Sequence, residues 1–282
     1  MKKLEIRVAI QGEPGAFSQV AVQQLLGAQA VVVPCQSFEL MFRALARGRV
    51  DAAVVPIENT LHGSVLENYD NLLRFGLPIV AETNVRIVHN LIAMPGVPWA
   101  KVRRVFSHPV ALNQCLKFFE EHPRIERVPF YDTAGSVKML AEKRLPDAAA
   151  IASSVAARIY GGRILKRSIE DDKRNFTRFF LLRRKRAAGK LPDESKEPYK
   201  TTLVFATRNT PGSLFRALSV FALRDISLAK IESRPLRGKP WEYLFYVDLH
   251  GRANEAAVAH ALNHLKELTD FQRVLGCYPR GA

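Results

Sequence analysis

The chain contains few cysteines and no long hydrophobic run. Its 282 residues include only three cysteines, Cys35, Cys115 and Cys277. Their odd number and wide spacing favour reduced thiols in the core over a disulfide framework or a zinc site. No apolar stretch approaches the roughly 20 residues that cross a bilayer, and residues 1–10 enter a strand pattern without a signal-peptide core. We therefore expect a cytoplasmic protein with no membrane contact and no structural metal.

Acidic residues are also scarce. Asp plus Glu number 27 against 42 Lys plus Arg, so the formal net charge is +15. Basic residues are dense between positions 163 and 190, a pattern that suits either a nucleic-acid surface or an acidic metabolite. A solvated face followed by a linker accounts for most of these charges. Because no nucleic-acid-binding motif accompanies them, we predict no nucleic-acid partner.

Strand-like runs alternate with amphipathic helices in the first part of the chain, which is typical of α/β proteins. Residues 38–45 carry apolar side chains on one helical face, with Ser37 as the candidate N-cap and Gly48 just beyond the end. The apolar period after Pro109 predicts a single helix, with Gln114 beside its apolar stripe.

A change in composition divides the chain into two domains. Residues 185–198 are polar and charged and lack a hydrophobic period, so we predict a linker there and a first domain over residues 1–184. Residues 199–282 are predicted to form strand, helix, strand, strand, helix and strand in that order. This βαββαβ order is that of a ferredoxin-like domain.

The most informative polar residues lie in two short runs, PIENTLHGSV (residues 56–65) and NFTRFF (residues 175–180). Asn59 follows a predicted buried strand, and ligands bind beyond the carboxyl ends of strands in open α/β sheets. Asn175 and Thr177 add an amide and a hydroxyl. These uncharged groups suit assistance to a leaving hydroxyl better than attack on a carbonyl. From the residues alone, an ordinary turn and an amphipathic strand remain open alternatives.

Motifs of several other enzyme classes are missing from the sequence. Residues 11–18 form a Gly-containing loop that does not match G-x-G-x-x-G, so we infer no dinucleotide. His260 and His264 share a helical face, but Ala261 occupies the position of the general base in H-E-x-x-H. No Ser, His and Asp set has the spacing of a hydrolase motif.

Six segments of the chain carry a family resemblance. They are QGEPGAFS (11–18), PIENTLHGSV (56–65), FSHPVALNQC (106–115), YDTAGSVKML (131–140), AAAIASSVAA (148–157) and NFTRFFLL (175–182). In this order they resemble the signature segments of prephenate dehydratases of the bacterial monofunctional type. The resemblance covers essentially the whole chain. It implies an α/β fold with a two-lobed, periplasmic-binding-protein-like catalytic domain, followed by a ferredoxin-like ACT regulatory domain.

The resemblance also implies roles for individual residues. The expected catalytic residues are Thr177, Asn59, Ser107 and Gln114. The expected substrate-binding residues are Glu58, Thr60, Thr133, Asn175 and Phe176. The expected effector-binding residues of the ACT domain are Gly212, Ser213, Leu214, Glu232, Ser233, Arg234 and Pro235. The family implies neither a metal nor a cofactor.

The implied activity is that of a carbon–oxygen lyase in L-phenylalanine biosynthesis. Prephenate would lose its ring carboxylate as CO2 and its ring hydroxyl as water, giving phenylpyruvate. L-Phenylalanine is the implied allosteric effector, bound between ACT domains of a homodimer or homotetramer. Arogenate dehydratase is an alternative within the same family. A non-enzymatic amino-acid-binding regulator is a more distant alternative, because a sensor would not need the set of Asn59, Ser107, Gln114 and Thr177.

Overall fold

The computed structural model describes residues 5–184, 198–236, 238–239 and 241–281. The chain divides into two compact units. The first comprises Met1–Asn68 and Thr83–Phe179, and the second comprises Tyr69–Glu82 and Phe180–Ala282. Residues 69–82, which lie within the predicted first domain, therefore pack with the C-terminal unit. The predicted linker falls, apart from Pro198, outside the described residues, and the predicted domain boundaries stay predictions.

The first lobe of the first unit is built around parallel strands. Its elements in chain order are β1 (Arg7–Gln11), α1 (Phe17–Leu26), β2 (Val31–Cys35), α2 (Phe38–Ala46), β3 (Ala52–Asn59) and the two-residue β4 (Gly63–Ser64). Strand β1 lies between β2 and β3 and is parallel to both. The predicted cap of α2 is confirmed, because Ser37 Oγ accepts a hydrogen bond from the backbone N–H of Leu40. Strand β3 is buried over its first four residues and becomes half-buried at Glu58 and Asn59, so its polar end lies at the sheet edge.

Two elements lead out of this lobe, α3 (Leu66–Phe75) and β5 (Ile79–Arg86). The second lobe then follows. Its elements in chain order are β6 (Asn90–Ala93), a 3-10 turn (Trp99–Lys101), β7 (Arg104–Ser107), α4 (Pro109–Asn113), α5 (Leu116–Glu121), β8 (Glu126–Pro129), α6 (Thr133–Lys143), β9 (Ala148–Ala152), α7 (Ser154–Tyr160) and β10 (Arg163–Lys166). Its strand order is β10-β6-β9-β7-β8. All five residues of β9 are buried, and four are alanines, which leaves room for helices to pack closely on the sheet.

The chain crosses between the two lobes twice. It leaves the first lobe after β5 and returns through residues 167–175 into β11 (Phe176–Arg183), which neighbours β3 in the sheet. The outgoing and returning segments are joined by backbone hydrogen bonds from Ile87 N–H to Asn175 O (2.8 Å) and from Ile169 N–H to His89 O (2.9 Å). This double crossing is the connectivity of periplasmic-binding-protein-like domains. The predicted two-lobed α/β architecture is confirmed.

The loop between β1 and α1 packs directly on the second lobe. Ser153 Oγ donates to the carbonyl oxygen of Gly15 at 2.6 Å. A Cβ atom added at Gly15 would lie 2.7 Å from the Cα of Ala156, so only glycine fits at this contact. Glu13 accepts hydrogen bonds from Tyr131 Oη and from Lys138 Nζ. Small residues and three polar contacts therefore hold the two lobes together at one edge of the cleft.

The second unit has the βαββαβ order that the sequence predicts. Its elements are β12 (Tyr199–Thr207), α8 (Ser213–Ala222), β13 (Leu228–Pro235), β14 (Tyr243–His250), α9 (Ala256–Leu268) and β15 (Phe271–Pro279). The strand order is β13-β14-β12-β15 with antiparallel pairing, and both helices pack around one apolar core. Within the described ranges, no helix is both long and apolar enough to cross a membrane.

The helix predicted after Pro109 is divided into α4 and α5 at Gln114. The backbone N–H of Asp171 donates to the carbonyl oxygen of Gln114 at 2.8 Å. The carboxylate of Asp171 accepts from the backbone N–H groups of Leu116 and Lys117 at 2.8 and 3.0 Å, and thereby caps α5. The residue that interrupts the helix lies more than fifty positions away. The local apolar period contains no sign of this break.

The Gly15 contact predicts a selective loss of stability. Gly15→Ala combines a backbone at φ +93° with a clash against Ala156, whereas Gly96→Ala has nearly the same φ (+90°) and no atom within 4 Å. We expect Gly96→Ala to lower the free energy of unfolding by about 1 kcal/mol and Gly15→Ala to lower it by about 2–4 kcal/mol. Urea denaturation of both variants measures the difference. Equal losses of unfolding free energy in the two variants would show that the close contact between Gly15 and Ala156 does not contribute to stability.

Candidate active site

A cavity of about 360 Å³ lies between the two lobes of the first unit. Both lobes contribute to its lining, which consists of Phe17, Asn59, His62, Gly63, Ser64, Val65, Ile87, His89, His108, Val110, Ala111, Gln114, Thr133 and Thr177. This lining includes no Lys, Arg, Asp or Glu among the residues that the structure describes. The described part of the lining therefore offers neutral hydrogen-bonding groups on apolar walls, with histidines as its only readily ionised side chains.

The Asn59 side chain joins the two sequence runs that carry the predicted site. Its amide oxygen accepts from the backbone N–H groups of Leu61 and His62, both at 3.0 Å, which fixes the turn after β3. Its amide nitrogen lies within hydrogen-bonding distance of Asn175 Oδ1 (2.7 Å), Phe176 O (3.1 Å) and Thr177 Oγ1 (3.0 Å). Two amide hydrogens serve these three acceptors. The Asn59 side chain therefore connects the turn after β3 to the start of β11.

Thr177 lies at the second position of β11, half-buried in the cavity wall. Its hydroxyl oxygen accepts the hydrogen bond from Asn59 Nδ2. A hydroxyl has one hydrogen to donate and two lone pairs that accept. Since Asn59 occupies a lone pair, the Thr177 hydrogen remains available for a group inside the cavity.

Thr60 and Asn175 support this arrangement from outside the cavity lining. Thr60 Oγ1 donates to Arg174 O at 2.9 Å and accepts from the Phe176 backbone N–H at 3.0 Å. Asn175 is fully buried, and its side-chain oxygen receives the Asn59 amide. Both residues position β11 against the turn after β3. The Phe176 ring is 39% exposed and is not part of the cavity lining.

Gln114 reaches the cavity because the helix breaks at that residue. Its side-chain oxygen lies 2.7 Å from Nε2 of His89, a residue that is 2% exposed. Burial lowers the pKa of His89 below its ordinary value of 6.5, although the hydrogen bond to Gln114 and the negative charge of Glu170 oppose the shift. The Phe17 ring packs edge-on against the imidazole, with centroids 5.5 Å apart.

Another part of the lining is formed around the start of α6. Thr133 is the first residue of this helix, and Asp132 caps it by accepting from the Gly135 backbone N–H at 2.7 Å. Burial raises the pKa of Asp132. His108 also faces the cavity, and burial lowers its pKa against the opposing charge of Asp132. The positive end of the α6 dipole favours an anionic group near Thr133.

The structure separates the predicted residues into three sets. Thr177, Asn59, Gln114 and Thr133 line one cavity. Thr60, Asn175 and the Phe176 backbone lie directly behind it, whereas Glu58 pairs with Ser64 at the β3–β4 hairpin. Ser107 is fully buried and its hydroxyl donates to Ile151 O at 2.7 Å, so its side chain contacts the β7–β9 pair rather than the cavity. Whether any of these residues takes part in catalysis stays a prediction.

Neither His89 nor His108 is among the site residues predicted from the sequence. His89 stands in RIVHNLIA, between the end of β5 and the start of β6, where no motif distinguishes it. Only the crossing between the lobes brings it to Gln114. His108 is followed by proline and lies before a short helix, which indicates a cap. Its Nδ1 does accept from the Val110 N–H at 3.3 Å, but the ring also contributes to the cavity.

Comparison with known proteins identifies the family. Residues 8–187 match the family model of prephenate dehydratase, and residues 201–266 match that of the ACT domain. The chain belongs to the prephenate dehydratase family. Arogenate dehydratase/prephenate dehydratase 1, a chloroplastic protein of Arabidopsis thaliana, is 41% identical over 98% of this chain and 72% of its own length.

Two solved structures extend the comparison. A prephenate dehydratase from Arthrobacter aurescens in complex with L-Phe has a TM-score of 0.88 and 35% identity, covering 98% of this chain and 90% of its own. GqqA, described as a novel type of quorum quenching acylase, has a TM-score of 0.87 and 34% identity, covering 97% and 98% of the two chains. The family assignment includes a carbon–oxygen lyase activity and a C-terminal ACT domain.

The ACT domain has a cavity of its own, of about 330 Å³, at the start of α8. Three of the predicted effector-binding residues, Gly212, Ser213 and Leu214, line it, together with Phe215 and Trp241 among others. The predicted residues of β13 are not part of this lining: Glu232, Ser233, Arg234 and Pro235. Arg234 instead forms a two-pronged ion pair with Asp70 of α3, with N···O distances of 2.8 and 3.2 Å. Its guanidinium group is therefore committed to a contact within the second unit.

The buried His89 predicts acid destabilisation that begins near pH 6.5. The pKa of His89 is lower in the folded chain than in the unfolded chain. At a pH between these two values, the unfolded chain binds a proton at His89 and the folded chain does not. This contribution to stability is complete above pH 6.5 and is lost as the pH falls towards the folded pKa, at up to ~1.4 kcal/mol per pH unit. We expect His89→Gln to reduce the fall in melting temperature between pH 7.5 and pH 5.5.

The exposed His260 on α9 supplies the matched control. His260→Gln should keep the full difference between the two pH values when thermal unfolding is followed by circular dichroism. An unchanged pH dependence in His89→Gln would mean that the pKa of His89 is not lowered in the folded protein.

Proposed function

We propose that this chain catalyses the decarboxylative dehydration of prephenate to phenylpyruvate, CO2 and water. The observation that supports it best is the Thr177 hydroxyl, whose hydrogen is free to point into a cavity whose described lining carries no Lys, Arg, Asp or Glu. In the reaction, the electron pair of the bond to the ring carboxylate moves into the ring. The bond to the ring hydroxyl breaks, and that oxygen leaves with its electron pair. A proton from solvent converts the departing oxygen to water.

Thr177 assists the departure of this hydroxyl. Hydroxide is a poor leaving group, and a donor placed on the departing oxygen stabilises the charge that develops there. Asn59 prepares the donor by occupying a lone pair of the Thr177 oxygen, which leaves the hydroxyl hydrogen to the substrate. Because this contact strengthens as the C–O bond breaks, it lowers the barrier more than it improves ground-state binding.

The neutral cavity suits the loss of CO2. A Lys or Arg paired with the ring carboxylate would stabilise the anion and oppose decarboxylation, and the described lining has neither. Phe17, Ile87 and Val110 provide apolar walls for the ring. Gln114 and Thr133 supply neutral donors for the side-chain carboxylate, which is also favoured by the N-terminus of α6. Substrate is thus oriented by hydrogen bonds rather than by ion pairs.

Arogenate is the second candidate substrate, since relatives carry that activity in their names. It differs from prephenate by an ammonium group in place of the side-chain keto oxygen. The described cavity lining has no Asp or Glu to pair with an ammonium, which favours the keto acid. An acylase reaction is not favoured, because the Thr177 hydroxyl is hydrogen-bonded to the side-chain amide of Asn59 and not to a general base. Parallel kcat/KM measurements on prephenate and arogenate decide between the two substrates.

Matched substitutions at Thr177 test the proposed donor. Thr177→Val keeps the branched shape and removes the hydroxyl, so kcat for prephenate should fall by roughly 10²-fold or more with little change in KM. Thr177→Ser keeps the hydroxyl and should retain most of the activity. Phenylpyruvate formation, followed by its absorbance in alkali, gives both constants. A folded Thr177→Val variant with near-normal kcat would remove Thr177 from its role.

Asn59→Asp tests the orientation of the same hydroxyl. One carboxylate oxygen can still accept from the backbone N–H groups of residues 61 and 62, but the other replaces the amide nitrogen opposite Thr177. The Thr177 hydroxyl would then donate to this new carboxylate instead of to the substrate, so kcat should fall about as far as in Thr177→Val. The same phenylpyruvate assay measures the loss. A variant that keeps wild-type kcat would show that Asn59 does not set the direction of the hydroxyl hydrogen.

We also propose that L-phenylalanine binds the ACT domain and lowers activity by favouring a less active state. The cavity at α8 supports this, since the first N–H groups of a helix have no partner within the helix and attract a carboxylate, although that of Ser213 already donates to Thr210 O. Aromatic walls from Phe215, Trp241 and Tyr243 suit a phenyl ring. The L-Phe complex of the Arthrobacter protein gives independent support. A site at a subunit interface would allow the β13 residues of a second copy to complete it.

Substitution of Ser213 tests the effector site. Ser213→Leu would fill part of the cavity of about 330 Å³ and should weaken L-phenylalanine binding by about tenfold or more, while kcat without effector stays close to wild type. Ser219→Leu, on the same helix but outside the described lining, is the matched control. Isothermal titration gives the affinity, and steady-state kinetics gives the inhibition. Binding of L-phenylalanine that is unchanged by Ser213→Leu would place the effector elsewhere.

Assembly and location belong to the same proposal. A homodimer or homotetramer is supported by large apolar side chains that are exposed on the second unit: Phe215 at 75%, Leu223 at 76% and Trp241 at 78%. A cytoplasmic location is supported only by the composition of the chain. The Arabidopsis relative is chloroplastic by name.

A further inference from the structure

His89 occupies a position that the dehydratase chemistry described above does not use. The residue is 2% exposed and belongs to the wall of the cavity. Its Nε2 lies 2.7 Å from the side-chain oxygen of Gln114. An amide oxygen can only accept, so Nε2 must carry the hydrogen. In the other tautomer, a buried Nδ1–H would have no partner, since the structure gives Nδ1 none.

This hydrogen bond decides which end of Gln114 faces the substrate. The amide oxygen is held by the imidazole, whereas the amide nitrogen has no hydrogen bond in the described structure and is not among the buried unpaired atoms. The nitrogen is therefore open to the cavity that Gln114 lines. Without His89, the amide would be free to turn over and present its oxygen, which repels a carboxylate.

Three residues of the returning segment hold this pair in place. Ile169 N–H donates to His89 O at 2.9 Å, and Glu170 Oε2 accepts from His89 N–H at 2.9 Å. Asp171 N–H donates to Gln114 O at 2.8 Å. The backbones of His89 and Gln114 are thus both hydrogen-bonded to the same short segment, residues 169–171. A hydrogen bond between two groups fixed in this way loses little entropy when it forms, which makes it an effective positioning contact.

We propose that His89 is a positioning residue: its Nε2–H locks the Gln114 side chain with the NH2 group towards the cavity, where it donates to a carboxylate of the substrate. The proposal rests on the proposed function for the identity of that substrate. It assigns the carboxylate contact to Gln114 and its orientation to His89. Because the contact is made before and during the reaction alike, its loss raises KM more than it lowers kcat.

Four variants test this assignment by steady-state kinetics with prephenate. His89→Phe keeps a flat ring but removes the donor, and should raise KM about tenfold with kcat changed less than about threefold. Gln114→Ala should raise KM to a similar extent. The double variant should be no worse than Gln114→Ala alone, because the two residues act through one contact. His89→Gln places an amide donor near the position of Nε2 and should restore most of the lost affinity.

A purely structural role for His89 gives a different pattern. In that case kcat and KM would both change, the effects of His89→Phe and Gln114→Ala would add, and His89→Gln would not restore KM. A wild-type KM in His89→Phe would also overturn the proposal.

The tautomer provides a readout that does not depend on turnover. In ¹⁵N-histidine-labelled protein, with the His89 signals assigned by their absence in His89→Gln, we expect a protonated Nε2 and an unprotonated Nδ1. The opposite pattern would overturn the proposal even if the enzyme is active. A wild-type protein that converts neither prephenate nor arogenate would instead refute the proposed function, while the NMR result still decides whether His89 donates to Gln114.

Discussion

The side-chain amide of Asn59 is the contact on which the candidate site depends. It joins the turn after β3 to the first residues of β11, and its partner Thr177 is 118 positions away in the chain. One end of the amide closes the turn, and the other end donates to the oxygen of the Thr177 hydroxyl. A neutral amide does both because it has donors and acceptors on one rigid plane. This contact turns an ordinary threonine into an oriented donor without placing a charge in the cavity.

The second lobe contributes the other half of the site, and there the side chains are positioned by backbone hydrogen bonds. The returning segment of residues 169–171 holds Gln114 and His89 by their backbones, and the Asp171 carboxylate interrupts the helix next to Gln114. The buried Glu170 is paired with Arg86 and with the His89 N–H, so its charge is compensated. The lobes are thus connected close to the cavity by hydrogen bonds whose loss would disturb binding and folding together. A cavity built in this way is well ordered before substrate arrives, which is what orientation of a reacting molecule requires.

Much of the fold could be predicted because its signals are local. Apolar periods and caps such as Ser37 act within a few residues, and they identified the α/β pattern and the βαββαβ order. The motif resemblance also identified four residues that line the cavity, including Thr177 and Gln114. The limits appear where a partner is distant in sequence. The helix break at Gln114 comes from Asp171, and Ser107 donates to Ile151 O instead of entering the cavity.

The sequence by itself determined the α/β pattern of the first domain, the βαββαβ order of the second, the family, and the uncharged amides and hydroxyl of Asn59, Asn175 and Thr177. These follow from side-chain type and short-range spacing, which the chain carries without folding. Only the tertiary structure decided that His89 meets Gln114, that Arg234 pairs with Asp70, and that residues 69–82 pack with the C-terminal unit. Each of these contacts joins segments that are well separated in the chain. Their geometry is set by how strands and lobes pack, and no local pattern contains that information.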